Sequence, residues 1–427
     1  RVMSQNLKHD QSGTQQKQPP RRRRRRGRRA AARRRILLLC AVVVFVGTAL
    51  GVTMYSWLHS SAAPPASSPS APISVPTPQP TVTTVHFSAS GDNLIHDGLY
   101  LQAKARTSDG SYDFMPLYEN IAPFFKDYDI NWVNQETLIS DELPPSSYPC
   151  FCTPGNVART LYEIGFRTFA LSNNHSYDQG AAGISSTLKF WASMPPDTVS
   201  AGFYAGESDY ENIRTQTVKG ITIAYLPYTE LTNGIPTPSD AEANIIYTSQ
   251  TDVIERQIQL ARTVADIVIP CVHWGTENSH IVNDAQRALA QQMADWGADV
   301  IIGTHPHVVQ PIEYVTANGT GQQVPVLYCL GNFVSLQNQL DNLIEIVATF
   351  DLTKTVQPDG SSKTVIENVK AHPLVMHYDA GWKNGRAYWL TDYTAELAAQ
   401  HGNKAMNLDA VKQVLRENID AAILVME

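Results

Sequence analysis

Cysteine is scarce, with five in 427 residues. That excludes a disulfide framework and leaves at most one isolated bridge. Cys271 and Cys329 lie in apolar, strand-like runs, Cys150 and Cys152 flank Phe151 in a proline-bounded loop, and all four read as buried free thiols. Cys271 precedes His273 by two residues and shares its face, but reads as packing, not as a ligand. No internal repeat is present, which removes solenoid and propeller architectures. Positive charge is sparse over most of the chain. Fourteen of the 33 Lys and Arg precede Ile36, against one of the 40 Asp and Glu, so the remainder carries a formal charge of −20. Such a balance favours solubility and disfavours nucleic acid as a partner.

Charge of either sign is absent from Ile36 to Leu58, about the ~20 residues a helix needs to cross a bilayer. Arginine-dense sequence precedes it, with Arg21 to Arg26 unbroken and Arg33, Arg34 and Arg35 at its edge. Basic flanks stay cytoplasmic. The expected organisation is a basic cytoplasmic tail (1–35), one transmembrane helix (36–58), a Pro/Ser/Ala-rich linker (59–80) and an extracytoplasmic domain (81–427) of a single-pass cell-membrane protein. Membrane lipid is the partner of the arginines and the helix. The small residues Ser61, Ala62 and Ala63 offer a cleavage site, but the apolar run exceeds the roughly 7–15 residues of a signal-peptide core, so an uncleaved anchor is expected.

From Val85 the pattern alternates strand and helix. Strands are expected at 85–90, 130–133, 168–172, 221–226, 267–272 and 300–302. Helices are expected at 115–126, 156–165, from 180 through 190, at 251–265 and at 284–296. Later segments read as hairpins around Asn318-Gly319 and Pro358-Asp359-Gly360. Alternation implies an α/β core, and the hairpins a second sheet beside it. A surface helix is expected at 408–415.

Polar residues gather where the strands stop, the usual place for sites in open α/β sheets. His305 and His307 follow the strand ending at Gly303, and two imidazoles at i and i+2 suggest a metal site. Asp92, just past the first strand, suits a hard or borderline cation, or caps the next segment. Glu136 is placed to bridge two cations, or to serve as a surface or capping acid. Asn174 offers an amide oxygen. His175 beside it is a general acid or a hydrogen-bonded core histidine, with Asp178 three residues on to orient it. His273 is a further ligand, with Glu277 across Gly275 as its orienting carboxylate. His96 stands undecided between site and structure.

Taken in order, Gly91-Asp92, Asn134-x-Glu136, Asn173-Asn174-His175-x-x-Asp178-x-Gly180, His273-Trp274-Gly275-x-Glu277, Gly303-x-His305-Pro306-His307-Val308 and Leu330-Gly331-Asn332-Phe333 resemble the bacterial CapA family. These are capsule-synthesis proteins associated with poly-γ-glutamate, and the resemblance runs from Val85 to Asn332. That family in turn resembles the calcineurin-like metallophosphoesterases. The resemblance implies a four-layer α/β/β/α sandwich with metal at the strand ends, one or two ions of manganese, zinc or iron. It implies Asp92, Glu136, Asn174, His273, His305 and His307 as ligands and His175 as the catalytic histidine. A polyglutamate polymer and membrane synthase subunits are the implied partners. Asn93 and Leu94 stand where the phosphoesterases carry Asp-x-His, and Asn134-Gln135-Glu136 replaces Gly-Asp-x-x-Asp, so one tight and one weak ion are expected. Three functions follow: hydrolysis in capsule-polymer synthesis, export or processing; a non-catalytic accessory to a synthase; and an extracellular phosphoesterase unrelated to capsule. For a polyanionic ligand, cations or the nearby Arg159 and Arg167 must reverse the local field.

Overall fold

The computed structural model describes residues 79–426. The expected tail, the membrane span and nearly all of the linker lie outside the described residues. Among those described, no helix is long and apolar enough to cross a membrane.

In chain order the strands are β1 (Thr81–Asp92), β2 (Ile130–Asn134), β3 (Ile139–Ser140), β4 (Thr153–Pro154), β5 (Thr168–Ala170), β6 (Val199–Ala201), β7 (Arg214–Val218), β8 (Ile221–Thr229), β9 (Ile267–His273), β10 (Ile301–Thr304), β11 (Ile312–Thr316), β12 (Gln323–Leu327), β13 (Ile344–Val356), β14 (Ser362–Asp379) and β15 (Lys383–Trp389). One sheet has the order β15-β14-β13-β1-β2-β5-β6 and the other β11-β12-β10-β9-β8-β7. Side-chain alternation shows why two sheets must meet. In β8, Ile221, Ile223 and Tyr225 join the larger core, while Ala224, Leu226 and Tyr228 join the smaller. Only a strand buried on both faces does this. The larger core continues into the first sheet through Phe87, Trp132 and Phe350. The smaller is closed by helices Thr251–Val264 and Asp284–Trp296, which contribute Ile254, Ile258, Leu289 and Met293. Helices Asp97–Ala105 and Met115–Tyr118 pack on β15, and Trp191 of helix Gly180–Ser193 meets Phe169 of β5 with ring centroids 4.7 Å apart. The fold is mixed α/β, two facing sheets with helices outside them.

Two expectations need correction. The late hairpins do not build a second sheet of their own. β13 pairs with β1 along Thr81↔Val356 to Ala89↔Ala348, and β12 joins β10 at Ile301↔Val326, so the hairpins extend both sheets while the alternating strands are divided between them. A period of two identifies a strand but not its sheet when both inner faces are equally apolar. The helix expected at 115–126 breaks into Met115–Tyr118 and a 3₁₀ turn at Ala122–Asp127. Pro123 lacks the N–H a continuous helix needs, and its ring clashes with the preceding turn. Cys150, Cys152, Cys271 and Cys329 are free thiols, as expected, but Cys150 is only partly buried.

Candidate metal centre

Four parallel strands from the two sheets end together. Asp92 closes β1 beside Asn134 of β2, and Thr304 closes β10 beside His273 of β9. Glycine permits the approach: a Cβ on Gly91 would sit 2.0 Å from the Gly331 carbonyl oxygen, and one on Gly303 2.1 Å from that of Tyr328. Beyond β10 the chain turns sharply, with φ of 102° at His305 and 60° at His307. A residue before proline favours extended backbone, so His305 is held in a conformation that costs on the order of 1–3 kcal/mol. Clamps hold it there. Asp92 Oδ2 accepts from the His305 N–H at 3.2 Å, the Pro306 carbonyl from Asn278 N–H at 2.8 Å, and the His307 carbonyl from Asn342 Nδ2 at 3.3 Å.

The side chains converge on Glu136. Its carboxylate is fully buried, and neither oxygen has a hydrogen-bond partner. Oε1 lies 3.6 Å from His273 Nε2 and 3.7 Å from His307 Nε2. Ligating atoms of Glu136, His305 and His307 all lie within 4.8 Å of one another. His273 Nε2 also faces Asn174 Oδ1 at 3.0 Å and His305 Nδ1 at 3.1 Å. On the other side, His307 Nδ1 is 3.1 Å from Asp92 Oδ2, and Asp92 Oδ1 accepts from Asn134 Nδ2 at 2.7 Å. Leu94 is buried and offers no donor.

The charges are out of balance. Burial, then Asp92, pushes the Glu136 carboxyl well above the usual range. Burial also opposes charge on His307, but Glu136 and Asp92 outweigh it and raise its pKa to about 9. Burial and then His307 lower His305 to about 4, and burial followed by His305 and His307 holds His273 well below its ordinary value. Left alone, Glu136 is thus driven toward its neutral acid, among two neutral imidazoles and one that can carry a proton. An unpaired buried charge costs several kcal/mol, and a divalent cation answers both the charge and the orphaned oxygens. The donor set of imidazole, carboxylate and amide oxygen fits such an ion.

His175 sits beside this cluster without joining it. Its Nδ1 is 2.6 Å from Asp178 Oδ2, which also accepts from the Phe151 N–H at 2.6 Å. The carboxylate holds the proton on Nδ1 and leaves Nε2 to accept or deliver another. Phe151 presses edge-on against the ring with centroids 4.7 Å apart.

The structure brings Asp92, Glu136, Asn174, His273, His305 and His307 together and sets the His175–Asp178 pair next to them. Glu277 is placed differently: it is exposed, and the atoms meeting His273 Nδ1 are Thr304 Oγ1 at 2.9 Å and Asn134 Nδ2 at 3.4 Å. Glu277 still acts electrostatically on Glu136 and His307 from the rim of the cluster. Neither arginine supplies a free charge. Arg159 pairs with Asp141, and Arg167 precedes β5, at the end away from Asn173, and is bound to Asp197 at 2.9 Å. Sequence reasoning missed Thr304, Asn233, which accepts from Asn174 Nδ2 at 3.4 Å, and the buried Glu345, whose Oε1 accepts from Gly91 N–H at 3.0 Å. Only Thr304 had a signal, lying inside the His305 motif. Thr304→Val keeps the volume and removes the hydroxyl, so metal affinity should fall about 10–100-fold. Competition with a chelator measures this, and unchanged affinity would show that Thr304 does not orient His273.

Residues 86–337, which hold the clustered side chains and the His175–Asp178 pair but not Glu345, match the bacterial capsule synthesis protein PGA_cap family. The chain belongs to that family. Among its relatives, it is 32% identical over 221 residues to the PGA biosynthesis protein CapA of Bacillus subtilis (strain 168), covering 51% of this chain and 56% of that protein. It is 35% identical over 182 residues to the capsule biosynthesis protein CapA of Bacillus anthracis, covering 41% and 42%. The chain therefore spans about half the length of the curated relatives it matches. Among solved structures, the NAD nucleotidase of Haemophilus influenzae aligns at 13% identity over 81% of this chain and 65% of that one, with a TM-score of 0.39.

Proposed function

We propose that this PGA_cap protein is a metal-dependent hydrolase of capsule-polymer biosynthesis, export or processing, acting on γ-glutamyl amide bonds. The observation that carries the reading is Glu136, a buried carboxylate with two unpartnered oxygens among His273, His305 and His307. The two CapA relatives, named for PGA and capsule biosynthesis, support the polymer. We read the paired sheets as a calcineurin-like sandwich. Asn174, His273 and His305 would hold one ion and Asp92 and His307 a weaker second, with Glu136 between them. Such an ion supplies Lewis acidity toward a carbonyl or phosphoryl oxygen. The chain's own groups do the rest. Asp178 orients His175, His175 delivers a proton to the leaving amine, and the buried surroundings keep water from shielding the charges. The expected setting is an anchored, extracytoplasmic domain beside a membrane synthase.

The experiment supplies manganese-loaded full chain with γ-linked polyglutamate and, separately, with a phosphomonoester. Polymer cleavage supports the reading. Turnover of the phosphoester alone favours the phosphoesterase, and turnover of neither favours the accessory role.

A further inference from the structure

His96 belongs to no ligand set above, yet it stands at the rim of the same cluster. Its ring is held from behind. Nδ1 accepts the Leu336 N–H at 3.2 Å, and the Leu94 carbonyl oxygen lies 3.3 Å from the same atom. A backbone N–H always carries its hydrogen, so a proton on Nδ1 would oppose it, and the ring proton is left to Nε2. Nε2 has no hydrogen-bond partner among the described residues, and the side chain is only partly buried. Phe151 meets the His96 ring edge-on at 5.4 Å between centroids and meets His175 in the same way, so the three rings form one wall. His307 and His175 are close enough to act electrostatically on His96, and burial lowers its pKa to about 4. The imidazole is therefore neutral in ordinary conditions.

We propose that His96 is a substrate-contacting residue, a neutral Nε2–H donor fixed by the Leu336 N–H and presented to an oxyanion at the rim of the site. The shared chemistry is a carboxylate or phosphoryl oxygen. A neutral donor suits a site that carries two carboxylates, because it adds attraction for an anion without competing with bound cations for those ligands. The assignment rests on the reading of this cluster as the substrate site.

The test is calorimetric binding of two probes, a γ-linked glutamate tetramer and orthophosphate, to manganese-loaded full chain, as wild type, His96→Ala and His96→Gln, with metal content measured in each. The probe that binds identifies the source of the oxyanion. The tetramer is expected, with affinity lowered about 10-fold or more in His96→Ala and about threefold in His96→Gln, whose amide N–H stands near the place of Nε2–H. Metal content should be equal in all three. Equal affinity in wild type and His96→Ala, loss of metal in His96→Ala, or a His96→Gln as weak as His96→Ala would each overturn the proposal. Failure of the parent reading looks different: no chain binds either probe, wild type included, and His96 then has no ligand to hold.

Discussion

His175→Ala is expected to retain its metal and to lose turnover by a factor on the order of 10²–10⁴, the usual contribution of one general acid. The geometry separates the two properties. His175 spends Nδ1 on Asp178 at 2.6 Å, whereas Glu136, His305 and His307 gather their ligating atoms on one another. Metal content and kcat measured on the same preparation decide it. Metal loss equal to that of a ligand variant would make His175 a ligand.

Glu136→Gln should change stability in opposite directions with and without metal. In the metal-free chain, burial and Asp92 raise the Glu136 carboxyl well above its ordinary range, so at pH 8 the fold must either take up a proton or hold an unpaired charge; Gln carries neither cost, and the variant should be more stable by about 1–3 kcal/mol. With metal at 100 times its dissociation constant, the wild type gains about 2.7 kcal/mol by mass action. The variant loses the charge that attracts the ion and gains little. The order of the two midpoints in thermal unfolding, taken in chelator and in manganese, should therefore invert. A variant destabilised equally in both conditions would show that Glu136 is a structural acid.

Most of the candidate site was legible in the sequence because each candidate ligand lies at or within a few residues of a strand end: Asp92 at the end of β1, Glu136 after β2, Asn174 after β5, His273 at the end of β9, and His305 and His307 after β10. Local pattern fixes those positions. Partners across the fold are not local. Thr304 reaches His273 only because β9 and β10 pair in that register, and Asn233 reaches Asn174 from a loop with no periodic signal. For Glu277, spacing alone did not reveal that Thr304 takes the hydrogen-bonding place beside His273 Nδ1, leaving Glu277 to act on Glu136 and His307 through charge. Arg167 lies close in sequence to the Asn173 motif, but a strand's length carries it to the other end of the sheet. The same limit applies to the fold: strands were legible, while their division between two sheets depended on pairings such as β1 with β13 across more than 250 positions.

Glu136, His305 and His307 are expected to form a metal centre. Elemental analysis of the purified full chain, reconstituted in turn with manganese, zinc and iron and then freed of loosely held ions, tests it most directly. At least one divalent ion per chain is predicted for the wild type, lost when His305 and His307 are both replaced by alanine. A wild-type chain that retains no ion from any of the three reconstitutions would contradict the account.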